Sequence, residues 1–184
     1  MPRFAEKFLQ TPHHPVMKQM LKEDRHLLLP CRHLVGGSPE KARVSLRNLM
    51  TMATDAGAEW ADQFFPDKSL RKNVKTAQML NRIIVDISSM VEKALRAIGD
   101  RATKLLIGAP GKKITKSDLA TRTTQVARVH VIESYIKGAL ARWKEYGATY
   151  CKRVELDDIK TCPTCIALHL KEYSIDALLQ LDNP

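Results

Sequence analysis

The stretch LRKNVKTAQMLNRIIVDISSMVEKALRAI, residues 70–98, places an apolar side chain at every seventh position: Leu70, Ala77, Ile84, Val91 and Ile98. Leu80, Ile87 and Ala94 fall at the complementary spacing. Side chains with this recurrence share one stripe of an α-helix, whereas a strand alternates its faces every residue. The stretch therefore predicts one helix of about eight turns with a packed seam. Arg71, Lys75 and Arg82 lie off that seam on a roughly common face. They are candidate contacts for nucleic-acid phosphate; the alternative for such a run is a plain solvated surface.

Upstream, Ser38-Pro39 is a helix start, serine capping free amides and proline tolerated at the first helical position. Leu46, Leu49, Ala53, Ala56, Trp60 and Phe64 then step by three and four along one face, and Pro66 ends the helix. Gly57 weakens this helix without breaking it. Before it, Val16 to Leu29 predicts a short helix between Pro15 and Pro30, followed by a loop from His33 to Gly37. Gly36-Gly37 reads as a turn.

Downstream, Gly99 and then Gly108-Ala109-Pro110-Gly111 interrupt the pattern, with Asp100 to Ile107 helical between them. Lys112 and Lys113 decorate this loop and join the candidate phosphate contacts. The interruption divides the chain into a basic helical body, residues 1–110, and a second part, residues 111–184. That second part opens with a long helix capped by Ser117 and ending at Gly147, a glycine suited to the left-handed residue after a helix. Leu119, Val126, Val129, Ile132, Ile136, Leu140 and Trp143 are its apolar positions. Thr149 to Val154 alternates and predicts a short strand. Asp157-Asp158 makes a turn, Cys162-Pro163-Thr164-Cys165 a tight knuckle, and Ser174 caps a last helix through Leu181. The expected fold is mainly α: long amphipathic helices with a small C-terminal α+β module that contains cysteines.

Composition agrees. The 184 residues suffice for one hydrophobic core, and with 44% hydrophobic residues but only 5% aromatic ones that core must rely on aliphatic side chains. Lysine and arginine exceed the acids by ten, unevenly: residues 155–184 hold two lysines against six acids, −4, which leaves +14 on residues 1–154. Such a surplus favours polyanions, nucleic acid first. No run of about 18 apolar residues predicts a membrane span, and the first residues do not read as a signal peptide. Four cysteines are too few for a secreted disulfide framework.

Cys162 and Cys165 form the one compact reactive constellation. Two thiolates at this spacing can clasp Zn²⁺, and tetrahedral closure needs two further ligands, for which Cys151 and His169 are the candidates. A redox reading requires the pair at a helix start within a βαβ unit, which the sequence does not offer. The third reading is structural, with the cysteines buried as small apolar groups or joined in a disulfide. Gly111-Lys112 lacks the spacing of a phosphate loop, and no nucleophile elbow or paired-carboxylate motif stands out. The expectation is a protein that is not an enzyme.

From about Thr123 to Tyr173 the chain resembles the Mu-F-like phage head-morphogenesis family. The residues that carry the likeness are Ala127-Arg128 in the helix, Gly147 ending it, the strand Thr149 to Val154, Asp158, Cys162-Pro163-x-Cys165, Leu168 and Tyr173. The family often has Asp-Gly where this chain has His169-Leu170, and it commonly continues into a His-Pro-x-Cys-x-Cys segment not found in these 184 residues. The resemblance implies a minor head protein of a tailed phage, made in the host cytoplasm and then held in the capsid interior or beside the portal. Its implied partners are the portal, other capsid proteins, further copies of itself and packaged DNA, with no membrane. The competing expectation is a zinc-knuckle adaptor that binds nucleic acid outside a particle.

Overall fold

A computed structural model describes residues 15–22, 24–63, 85–108, 114–152 and 171–180. Within them the protein is mainly helical: α1 (Pro15–Lys22), α2 (Asp24–Val35), α3 (Pro39–Asp62), α4 (Ile87–Ile107), α5 (Lys116–Glu145) and α6 (Ile175–Gln180). The remaining regular structure is one antiparallel ribbon of β1 (Tyr150–Lys152) and β2 (Glu172–Ser174), with Tyr150 opposite Ser174, Cys151 opposite Tyr173 and Lys152 opposite Glu172. Among the described residues no helix is long and apolar enough to cross a membrane.

Helix α5 is the axis of the structure. Helices α2, α3 and α4 all pack on it, and α6 covers part of it. One hydrophobic core runs from Met17 and Leu27 through Leu46, Met50, Val91 and Ile98 to Val131, Leu140 and Ile175. It is thus continuous across the 110/111 boundary drawn in sequence. A helix surrounded on several sides has no wide solvent face, so α5 buries polar as well as apolar residues.

The helix ends follow local chemistry. Asp86 caps α4 by accepting from the Ser89 amide at 3.0 Å, and Val85 and Met90 on either side are both buried, in the positions of a hydrophobic staple. Thr115, rather than the expected Ser117, caps α5: its hydroxyl accepts from the Asp118 amide, and the Asp118 carboxylate accepts from the Thr115 amide, both at 3.1 Å. The same threonine hydroxyl holds the Asp118 carboxyl below the usual carboxylate range. At the other end, Gly147 takes φ +84°, while the Ala148 amide donates to Trp143 and the Gly147 amide to Lys144. That closure stops α5 where the sequence predicts.

Further sequence expectations need correction, among them the loop from His33, since α2 runs on to Val35. The seam over residues 70–98 is not one helix: Val85 and Asp86 are not helical, and α4 begins at Ile87 with Asp86 as its cap. From Ile87 onward the seam does pack, with Val91, Ala94 and Ile98 buried. Gly99 does not interrupt α4, which continues to Ile107. Finally, Val16 to Leu29 is divided between α1 and α2, and Pro30 lies inside α2. A mid-helix proline costs about 3 kcal/mol locally; burial of Leu27, Pro30 and Cys31 offsets it.

Candidate functional site

Helix α5 carries two buried polar clusters, one toward α3 and one toward α4. Its hydroxyls set the background. Thr123, Thr124 and Ser134 are buried, and each donates to a backbone carbonyl one turn back, at 2.9, 3.0 and 2.9 Å. Cys31 of α2 is fully buried; burial pushes its thiol up, with the Thr123 and Thr124 hydroxyls working the other way.

The first cluster fixes α3 to α5. Gly57 and Gly138 let the two backbones touch: a Cβ at Gly57 would stand 1.9 Å from the Tyr135 carbonyl oxygen, and one at Gly138 would stand 2.1 Å from that of Thr54. Beyond this crossing Trp60 packs on Tyr135 and Trp143, with ring centroids 6.0 and 5.8 Å apart. The contact ends in a clamp. Arg142, 2% exposed, donates through Nε and Nη2 to the two oxygens of Asp62 at 2.5 and 3.1 Å, and through Nη1 to Glu145 at 2.7 Å. The Tyr146 hydroxyl donates to Asp62 at 2.6 Å, and its ring lies 5.2 Å from the guanidinium carbon. Burial opposes the Arg142 charge, but Asp62 and Glu145 outweigh it and hold the guanidinium more firmly protonated. Burial pushes Glu145 up against the pull of Arg142. Burial, then the bond to Asp62, pushes Tyr146 up to about 12.

The second cluster lies between α4 and α5. Glu133, 3% exposed, receives Lys137 Nζ at 3.3 Å and Lys93 Nζ at 3.5 Å on the same oxygen, Oε1. His130 Nδ1 stands 3.2 Å from the other oxygen, Oε2. Lys137 is 7% exposed, unusually buried for a lysine. These side chains open onto a recess of about 190 Å³ lined by Val85, Asp86, Ser89, Met90, Lys93, Glu133, Lys137, Leu179 and Gln180.

Sequence reading named neither cluster. His130, a single histidine in the middle of a long helix, packs against a carboxylate. The signal was a run of charges, His130-x-x-Glu133-x-x-x-Lys137, at the three- and four-residue spacing that places side chains on one helical face.

Of the residues singled out in sequence, Arg71, Lys75, Arg82, Lys112, Lys113, Cys162, Cys165 and His169 lie outside the described residues. Cys151 sits on β1 across from Tyr173, half-buried against the core, and burial pushes its thiol up to about 11. Arg128 is half-buried on α5. Among the described residues no group of three or more His, Cys, Asp or Glu side chains is placed to hold a metal ion. No protein-family model, curated protein or solved structure matches the chain.

Proposed function

We propose that this chain is a structural, non-enzymatic protein of a tailed-phage head: a minor head protein acting beside the portal in head assembly, DNA packaging or DNA delivery. The arrangement after α5 supports this reading most directly. Helix α5 carries Ala127-Arg128, stops at Gly147 and passes into β1; β2 then receives the chain back from the segment that contains Cys162 and Cys165. Helix, glycine stop, strand, cysteine segment and tyrosine follow in the order of the head-morphogenesis family that the stretch resembles. Tyr173 of that signature lies on β2 opposite Cys151. The +14 charge of residues 1–154 suits a protein beside packaged DNA.

The test is location. The chain should be found by mass spectrometry in density-gradient-purified particles assembled with portal and capsid proteins. Recovery only outside particles overturns the reading. If that free chain also binds zinc and nucleic acid, the adaptor function takes its place.

A further inference from the structure

We infer that one end of the helical bundle, where α2 and α4 finish and α3 and α5 begin, is a surface for the phosphate backbone of duplex DNA. Arg32, Lys41, Arg101, Lys104, Lys116 and Arg122 carry it, and the choice of partner rests on the reading that the chain lies beside packaged DNA. Helix directions assemble this end. Helix α3 runs with α5, since Thr54 meets Gly138 and, further along, Asp62 meets Arg142. Helix α4 runs against α5, since Ser89 shares the recess with Lys137 while Lys93 faces Glu133. The turn at Gly36-Gly37 folds α2 back on α3, and Cys31 near the end of α2 lies against Thr123 and Thr124 near the start of α5.

All six cations are exposed, and among the described residues none of them stands in an ion pair. At the opposite end Lys93 and Lys137 meet Glu133, Arg142 meets Asp62 and Glu145, and Lys144 meets Asp176. The acids close in sequence to the six are largely committed: Glu40 to Arg43, and Asp118 to the Thr115 cap. Asp100 is the exception. Helix polarity makes the same point. The N-terminus of a helix carries partial positive charge, so cations there oppose the stability of their own helix. Lys41 nonetheless lies in the first turn of α3, and Lys116 opens α5. Arg32 and Lys104 lie in last turns, where the dipole favours them, and they add to the same field.

The spread of these charges narrows the partner. They come from four helices, whose neighbours pack about 8–10 Å apart, and line no pocket. A compact anion would meet one or two of them, whereas a duplex presents a phosphate charge every ~1.7 Å of its axis. Residues 30–47 and 96–125 contain no Phe, Tyr or Trp. Bases of a single strand would find no ring there to stack on, so the surface suits a paired backbone. Leu106 and Ile107 are exposed beside Lys104, which makes an anionic membrane the alternative to separate.

The experiment follows the full chain by fluorescence anisotropy on short labelled duplexes of two unrelated sequences, over a range of NaCl. Both duplexes should bind alike, with log affinity falling against log salt by about 0.9 per phosphate neutralised. Lys41→Gln with Lys116→Gln should flatten that slope by roughly 1.8 and weaken binding at least about fivefold. Lys144→Gln with Lys171→Gln removes the same charge from exposed positions at the opposite end and should stay within about twofold of the parent. Both double variants should keep the parent's helical spectrum. Equal losses in the two overturn the proposal, because the charge then acts only in bulk. An unaltered slope in the first variant overturns it, as does a preference of about tenfold or more for one sequence. Binding to phosphatidylserine vesicles without binding to duplex overturns it as well. A chain resident in particles that binds no duplex removes this surface alone; duplex binding by a chain found only outside particles removes the virion reading and keeps the surface.

Discussion

Where α3 crosses α5, two glycines bring backbone onto backbone and a guanidinium fork locks the end of the contact. Where α4 lies along the same α5, lysine and glutamate side chains meet around a recess. Both contacts bury charge, but they balance it differently. Arg142 has two carboxylates, a bidentate fork and a tyrosine ring around it. Glu133 has two lysines and a histidine. The first is held by a bidentate fork between Arg142 and Asp62. The second gathers two ammonium groups and an imidazole around one carboxylate. One helix thus makes a close backbone crossing on one side and a side-chain ion cluster on the other.

Glycine substitutions should separate the two contacts most sharply. Gly57→Ala or Gly138→Ala forces a Cβ to about 2 Å from a carbonyl oxygen of the facing helix, with backbone rather than a flexible side chain in the way. Each should cost at least about 4 kcal/mol in urea denaturation, near the upper end for single substitutions. Gly99→Ala is the opposite case, since its Cβ would meet nothing within 4 Å inside α4. It should stabilise by roughly 0.5–1 kcal/mol through helix propensity alone. A mild Gly138→Ala would show that the crossing can widen.

The clamp comes next. Arg142→Met strands Asp62 and should cost about 3–5 kcal/mol, as expected when one partner of a buried pair is removed. The double variant Arg142→Met with Asp62→Leu should recover only part of that loss, because Asp62 is no longer stranded but Glu145 still lacks its guanidinium partner. Additive effects in this cycle would mean that the two groups act independently despite their contact. For the open cluster, Glu133→Gln leaves two ammonium groups without their shared carboxylate. It should destabilise the protein by about 2–4 kcal/mol, read by urea denaturation.

A smaller effect appears in alkali. The Cys151 thiol, ordinarily near 9, is pushed up to about 11, and the Tyr146 phenol, ordinarily near 10, up to about 12. In both cases the folded state disfavours the deprotonated form. Their contribution to stability is therefore complete below pH 9 and is lost as pH rises toward 12. Thermal denaturation should show that decline, and Cys151→Ser combined with Tyr146→Phe should flatten it.

The fold was more legible in sequence than the site. Period-three and period-four spacing in α3 marked Leu46, Leu49, Ala53, Ala56 and Trp60, all of them buried. The glycine at 147 and the strand after it were also readable, because positive φ and alternation leave local marks, whereas its partner Glu172–Ser174 was not, Ser174 having read as a helix cap. Helix α5 misled for a physical reason. Its large apolar residues Val126, Ile132 and Ile136 are only half-buried and Val129 is 44% exposed, while Ala127, Thr123, Ser134 and Gly138 face the interior. Close helix crossings select small residues and buried ion pairs select charged ones, so a search for large apolar stripes passes over the buried faces of such a helix. The break at Asp86 was hidden too, since the seven-residue recurrence runs through it unchanged and Ile84, Ile87 and Val91 keep their spacing.

Two helix starts supply the smallest expected effects and a test of how much a cap residue reveals by itself. Both Ser38 and Thr115 are favourable N-cap residues. Thr115 makes the reciprocal bonds with Asp118, whereas Ser38 makes no side-chain cap bond and relies on Pro39 at the first helical position. Thr115→Ala removes an acceptor for the Asp118 amide and should cost about 1 kcal/mol. Ser38→Ala removes no such bond and should stay within about 0.5 kcal/mol of the parent. The Ser38 contribution comes from the turn before it, where the Ser38 amide donates to the His33 carbonyl at 2.8 Å and Gly37 holds φ +83°. Gly37→Ala should therefore cost more than Ser38→Ala, by about 1 kcal/mol, because an alanine there is held in the left-handed region. Equilibrium unfolding of the three variants under one set of conditions decides the matter. Equal losses at Ser38 and Thr115 would mean that the serine hydroxyl caps α3 in solution, and the contrast between the two starts would disappear.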